Sequence, residues 1–173
     1  MRPSFSTIRL HVRDLADLDK GSDGRAALDA ALPVILTEPV LRHLPPDLRH
    51  SGAQFDMQAW VRILASRNVV GVVTTVADAA PIGFLALRKE ARPGRAPILW
   101  LGYLFAEHAW GHGYATELVE GVVAALPEAK DAELHAGIAA GNDKSARVLR
   151  KAGFVADPEQ SGEDWTLFTR PMA

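Results

Sequence analysis

The chain has 173 residues, and its 19 Lys and Arg stand against 21 Asp and Glu for a formal charge of −2, so it carries no global attraction to nucleic acid or to an anionic membrane. Cysteine is absent, which excludes disulfides, thiolate catalysis and cysteine-based zinc sites and fits a reducing cytoplasm. The opening residues lack an apolar signal core and no run of about 18 apolar residues follows, so the expectation is one intracellular domain over 1–173.

In chain order, STIRLHVRDL alternates Ile8, Leu10 and Val12 with polar partners and predicts a first strand. Residues 14–50 mix helical patches with Gly21, Gly24, Pro33, Pro39, Pro45 and Pro46, which predicts short helices joined by loops. AQFDMQAWVRILASR reads as a helix, with Phe55, Ala59 and Ile63 four apart. VVGVVTTV, IGFLALR and ILWLGYLF then read as three strands of an antiparallel meander, joined by the turn ADAAP and the loop KEARPGRAP. ILWLGYLF has no polar face, which places it centrally in its sheet with both sides covered.

Beyond it, Ala115, Leu118, Val119, Val122, Val123 and Leu126 mark the buried stripe of a helix ended by Pro127. A strand follows over Ala132–Ala139. NDKSARVLRKAGF is a second amphipathic helix, with Asn142 as N-cap, Val148, Leu149 and Ala152 inside and Gly153 as a left-handed stop. WTLFTR is the last strand, and the order is β-α-α-β-β-β-α-β-α-β, a mixed α/β sheet.

The stretch AWGHGYATEL sets Gly111 and Gly113 around His112 just ahead of a helix. A helix start presents unpaired N–H groups, the macrodipole adds positive charge, and bare glycines let a pyrophosphate approach the backbone. Two glycines before a helix are usually a tight turn and nothing more. GHGYAT is neither GxGxxG nor a Walker pattern, which argues against a dinucleotide or nucleoside triphosphate.

GYLFAEHAWGHGYATELVEGVVAAL followed by NDKSARVLRKAGF resembles the GNAT superfamily of acyl-CoA-dependent N-acetyltransferases. The run from Trp110 to Ala115 fits that family's (Gln/Arg)-x-x-Gly-x-(Gly/Ala) signature, with Trp in the first place. WGxGYATE and N-x-x-S…L-x-K-x-G-F are similar to the RimJ/RimL-like branch of ribosomal-protein N-terminal acetyltransferases and related small-amine acetyltransferases. IRLHVRDLADLD and TEPVLRHLPPD resemble it more loosely.

The resemblance implies a GNAT α/β (α+β) fold: a mixed, mostly antiparallel sheet of six to seven strands, about four helices, and a V-shaped opening between the strands at 98–105 and 132–139. It implies acetyl-CoA as co-substrate, its pyrophosphate held by the amides of Gly111, His112, Gly113, Tyr114, Ala115 and Thr116. Backbone groups of Tyr103, Leu104 and Phe105, at a β-bulge, would pair with the pantetheine arm. Asn142 would bond the pantetheine or hold the gap open, besides capping its helix. Ser145 would reach the sulfur end or stabilise the first helical turn. Transfer in this family is direct attack by a neutral amine, so no enzyme nucleophile is needed.

The Phe105 amide is the candidate oxyanion donor. Relatives often carry a tyrosine acid seven positions after the Asn and a carboxylate base five before it, but here those positions hold Leu149 and Gly137. Tyr103, Glu107, His108 and His135 remain as acid and base candidates, each also readable as a surface carboxylate or a core residue, with Ser145 near the sulfur. Scattered histidines show no metal spacing, and no metal is expected. Trp60, Trp100 and Trp165 read as core or groove wall. Arg88, Lys89, Arg92 and Arg95 on one loop read as a solvated loop or as an attraction for an acidic acceptor or the CoA 3′-phosphate.

The acceptor groove would come from residues 14–65 and 88–97. A protein N-terminal α-amine leads among acceptors, beside a polyamine, an amino acid or an antibiotic amine. A non-catalytic acyl-CoA-binding protein is the other reading, and homodimers are frequent in the superfamily.

Overall fold

A computed structural model describes residues 2–18, 22–49, 54–126 and 132–171. The chain runs through β1 (Phe5–Ser6), β2 (Leu10–Asp14), α1 (Leu15–Leu18), α2 (Ser22–Ile35), α3 (Glu38–Leu41), a 3-10 turn (Pro46–Leu48) and α4 (Met57–Arg67). It continues through β3 (Val69–Thr75), β4 (Pro81–Glu90), β5 (Ile98–Phe105), a second 3-10 turn (Glu107–Ala109), α5 (Tyr114–Ala125), β6 (Glu133–Ala139), α6 (Asp143–Lys151), β7 (Val155–Asp157) and β8 (Trp165–Arg170). The described strands form one eight-stranded sheet in the order β1-β2-β3-β4-β5-β6-β8-β7. Its pairs are antiparallel except β5–β6, which is parallel.

This is the expected mixed, mostly antiparallel architecture with more pieces. The expected first strand is a hairpin: Phe5 pairs with Val12 and Ser6 with His11, and Ile8 sits in the turn, 91% exposed. The short β7 adds an edge to β8. Six described helices replace the four expected. In α4 the inward stripe is Trp60, Val61 and Leu64, whereas Ile63 faces outward. The helix begins only at Met57, where the Asp56 side chain accepts from the Ala59 amide, so Phe55 lies outside it. Pro127 lies outside the described residues.

Two apolar cores clamp the sheet. Under α5 and α6 lie Leu99, Leu118, Leu134, Leu149 and Phe168. Under α1–α4 lie Leu28, Leu32, Trp60, Phe84 and Leu104. Each large side chain fully buried here contributes about 2 kcal/mol of transfer free energy, so both helical layers are held firmly. The inner side of α6 is Ala146 and Leu149, with Val148 and Ala152 at its margins, and Gly153 ends it at φ +83° as expected.

The centre of the sheet positions the site. β5 pairs with β4 without a break from Phe105↔Gly83 to Ile98↔Glu90. β5 meets β6 only at Ile98↔Glu133, Leu99↔Leu134 and Trp100↔His135. Past that point β6 stays paired to β8, from Leu134↔Arg170 to Ala139↔Trp165. Each strand is therefore held by its outer neighbour and released by its inner one, which opens the V. No bulge lies in β5; the irregularity falls between Val73 and Thr74 in β3, so the splay needs none at the gap. β5 is covered on its α5 side, whereas Gly102 is exposed on the other. β4 reaches Glu90, so Arg88 and Lys89 belong to the strand and Arg92 and Arg95 to the loop.

Candidate active site

The open end of the V faces the start of α5. Gly111 and Gly113 have φ of +78° and +79°, a region that favours glycine. A Cβ at Gly111 would meet nothing within 4 Å, and one at Gly113 would meet only Arg9 Nη2 at 3.5 Å. The mouth is open, not plugged by side chains. The first backbone bond into α5 runs from the Glu117 amide to the Gly113 carbonyl at 3.1 Å, so the amides of Tyr114, Ala115 and Thr116 have no helical acceptor. Together with the helix dipole they can bind a diphosphate.

Three side chains brace this turn. The Trp110 indole N–H donates to the Phe105 carbonyl at 2.8 Å, tying the turn to the end of β5. That bond gives a physical role to the tryptophan at the first motif position. His112 Nδ1 lies 2.8 Å from the Trp110 carbonyl, and its ring stacks on Tyr114 at 5.7 Å. Arg9 was not found by sequence reading. Its Nη1 donates to the His112 carbonyl at 2.9 Å, its Nε to Glu117 Oε2 at 2.6 Å, and it lies 4.9 Å over the Tyr114 ring.

Glu117 also accepts from the Thr7 hydroxyl at 2.6 Å and the Arg9 amide at 2.7 Å. Burial works to raise its pKa, but the bonds from Thr7 and Arg9 and the Arg9 charge outweigh it and hold it below the usual glutamate value. No local pattern links residue 9 to residue 117; only the loose likeness of IRLHVRDLADLD hinted at this segment.

Within the V, backbone direction decides which groups are offered. The Glu133 amide donates to the Pro97 carbonyl at 2.9 Å, so residue 97 points its backbone toward β6. Backbone groups alternate from side to side along an unbroken strand. Leu101, Tyr103 and Phe105 therefore turn their amides into the gap. The Phe105 carbonyl is taken by Trp110, which leaves its amide as the donor at the mouth. Leu104, expected beside them, turns its amide and carbonyl to β4, where its oxygen would lie 2.2 Å from a Cβ at Gly83.

Tyr103 and Ser145 come together from β5 and the first turn of α6. The Tyr103 hydroxyl is buried without a completed hydrogen bond. Burial pushes its pKa up to about 12, tempered by the nearby Ser145. Asn142 caps α6, its Oδ1 accepting from the Ser145 amide at 3.2 Å. Leu149 lies fully in the core, and Gly137 is exposed with the Trp165 ring 3.5 Å from its Cβ position.

Glu107 stands exposed just past β5 and accepts from the Thr37 hydroxyl at 2.6 Å. Thr37, at the joint of α2 and α3, carries no motif and was not anticipated. His108 is exposed beside it. His135 lies apart, at the closed end of the V, 2% exposed. Its Nε2 is 3.0 Å from Glu133 Oε1 without the alignment of a hydrogen bond, and its ring meets Trp100 edge-on at 5.1 Å. It is a core histidine. His43, after α3, has its pKa lowered by burial and then by Arg42, Arg49 and Lys144. Among the described residues no three His, Asp or Glu side chains gather as a metal-binding set. No described helix is long and apolar enough to cross a membrane.

A sheet pried open between two parallel strands, with a glycine turn at a helix start beside the opening, defines the class of CoA-dependent acyltransferases. Residues 25–155 match the family model of the acetyltransferase (GNAT) domain, and the chain belongs to that family. It is an acetyl-CoA-dependent N-acetyltransferase. A probable GNAT-family acetyltransferase from Chromobacterium violaceum superposes with a TM-score of 0.71 at 19% identity, over 98% of this chain and 86% of that one. The ribosomal-protein-S5-alanine acetyltransferase from Vibrio fischeri gives 0.67 at 19% identity, over 96% and 95%. RimL, a ribosomal L7/L12 α-N-protein acetyltransferase in complex with coenzyme A, gives 0.67 at 14% identity, over 96% of both chains. These likenesses are likenesses of fold. No curated protein matches the sequence.

Proposed function

We propose that the protein moves an acetyl group from acetyl-CoA to an α-amine at a protein N-terminus, by direct attack within a ternary complex. The observation that carries this reading is the opened V, with the Tyr103 and Phe105 amides turned into the gap and the glycine turn at its mouth. The diphosphate docks on the amides from Gly111 to Thr116, and the pantetheine arm lies along β5.

The amine nitrogen attacks the thioester carbonyl carbon, and the Phe105 amide donates to the oxygen as it gains charge. As the C–S bond breaks, the Tyr103 hydroxyl gives its proton to the sulfur and recovers one through Ser145. The proton lost by the new amide's nitrogen passes through water to Glu107, which Thr37 orients.

The acceptor class follows from basicity and charge. An α-amine has a free pKa near 8, against about 10.4 for lysine, and so is partly neutral at working pH. An exposed carboxylate such as Glu107 suffices for it. The positive charges of Arg42, Arg49 and Lys144, which act on His43, work against a polycation such as a polyamine. The two ribosomal-protein acetyltransferases of the same fold favour the same class.

The test is thiol release from acetyl-CoA, with mass detection of product, over peptides with free N-termini, N-blocked lysine peptides, polyamines, amino acids and aminoglycosides. N-terminal peptides are expected to be acetylated at least about tenfold faster, by kcat/KM, than lysine peptides, following the pKa gap. Acetyl-CoA binding with no thiol release over the whole panel would make the protein a binder. Preference for a small amine would move the acceptor class.

A further inference from the structure

Arg9 spends only part of its guanidinium on the fold. Nε and Nη1 are engaged by Glu117 and the His112 carbonyl, at 2.6 and 2.9 Å. Nη2 donates to nothing among the described residues and lies 3.5 Å from where a Gly113 Cβ would stand, at the lip of the open turn. The side chain remains 47% exposed. A cation is placed here against the positive end of α5, where charge alone would disfavour it. Glu117 supplies the counter-charge through Nε, and its two oxygens are taken up by the Thr7 hydroxyl, the Arg9 amide and Arg9 Nε, so Nη2 has no carboxylate partner among the described residues. Nη2 and the amides without helical acceptors thus lie at the same open turn, and a guanidinium donor suits a phosphate oxygen.

We propose that Arg9 is a ligand of the cofactor diphosphate: Nη2 donates to a phosphate oxygen while Nε and Nη1 keep their bonds to Glu117 and His112. The first hairpin, 104 positions before Gly113 in the sequence, then supplies a cation to the cofactor site. This rests on the reading that acetyl-CoA docks at the turn.

The experiment compares acetyl-CoA with S-acetylpantetheine, which lacks the diphosphate, in the wild-type protein and in Arg9→Gln, Arg9→Lys and Thr7→Val. Arg9→Gln is expected to weaken acetyl-CoA binding about tenfold or more, the scale of one charge-assisted bond, and to lower kcat/KM for S-acetylpantetheine by a much smaller factor. It also flattens the salt dependence of acetyl-CoA binding. Arg9→Lys keeps a cation without the fork and should fall between Gln and wild type, which preserves the test if Gln fails to fold. Thr7→Val loosens Glu117 but spares the guanidinium, so it lowers Tm and leaves the ratio of the two substrates alone. Equal losses for both substrates in the Arg9 variants, or none, overturn the inference and leave Arg9 as a brace. A wild-type protein that binds no acetyl-CoA overturns the functional reading itself.

Discussion

Tyr103 is the acid in the proposed mechanism, and its burial decides its protonation state. Burial raises its pKa to about 12, so the hydroxyl stays protonated through the neutral range and is present as a donor when charge develops on the departing sulfur. Tyr103→Phe removes the donor and little else. We expect kcat to fall about 100-fold, while stability at pH 7 holds or gains up to about 1 kcal/mol, since a buried hydroxyl without a partner is lost. The raised folded value has a second consequence. Its contribution to stability is complete below the unfolded tyrosine pKa, near 10, and is lost as pH rises toward 12. Tyr103→Phe should abolish that part of the alkaline decline, measured by chemical denaturation between pH 8 and 12. An unchanged kcat would return the proton to solvent.

Residues of this kind differ in how openly the sequence displays them. Gly111, Gly113 and Asn142 carry local signatures, a positive φ or a cap, and all three sit as expected. Arg9 and Thr37 act through partners 108 and 70 positions away, and no local pattern encodes such pairs.

At the scale of elements, period and composition were enough for the meander, α5 and α6, whereas the opening of the sheet came from the family resemblance alone. They failed where an element is too short to show a period, as in β1 and β7 with two and three residues. They failed again in α4, where a bare spacing of four singled out Phe55, Ala59 and Ile63 and the packed face is Trp60, Val61 and Leu64. The finer error was Leu104, since composition says nothing about which edge a strand offers. Register does, and it makes a sharp prediction for amide exchange. In the free protein the Leu104 amide, turned to β4, should exchange slowly, and those of Tyr103 and Phe105, turned into the gap, quickly. Acetyl-CoA should slow Tyr103 and Phe105 by about tenfold or more and leave Leu104 as it was. Uniform protection along β5, with or without ligand, would mean that the arm does not lie against this edge.

On the whole molecule, the two cores leave one structural question: how the first hairpin, at one edge of the sheet, is held to the helix that starts beside its centre. The link is Glu117, whose oxygens take the Thr7 hydroxyl, the Arg9 amide and Arg9 Nε. The hairpin, α5 and the cofactor turn therefore share one ionised group. Glu117→Gln keeps the shape but swaps an acceptor oxygen for a donor nitrogen, and leaves Arg9 without its counter-charge. We expect a loss of about 1–2 kcal/mol at pH 7, the range for hydrogen bonds to a charged group. Arg9 is half exposed, and screening keeps the figure from being larger. Because the folded pKa of Glu117 lies below its ordinary value, the stabilisation is complete above the ordinary glutamate range and is lost as pH falls through the lowered one. Wild type and Glu117→Gln should thus differ most at neutral pH and draw together as the pH falls through the lowered pKa, by urea denaturation across an acid series. A gap of constant size across that range would mean that Glu117 acts by shape, not by charge. The hairpin would then be packed against α5, with no ionic tie to the turn that holds the cofactor.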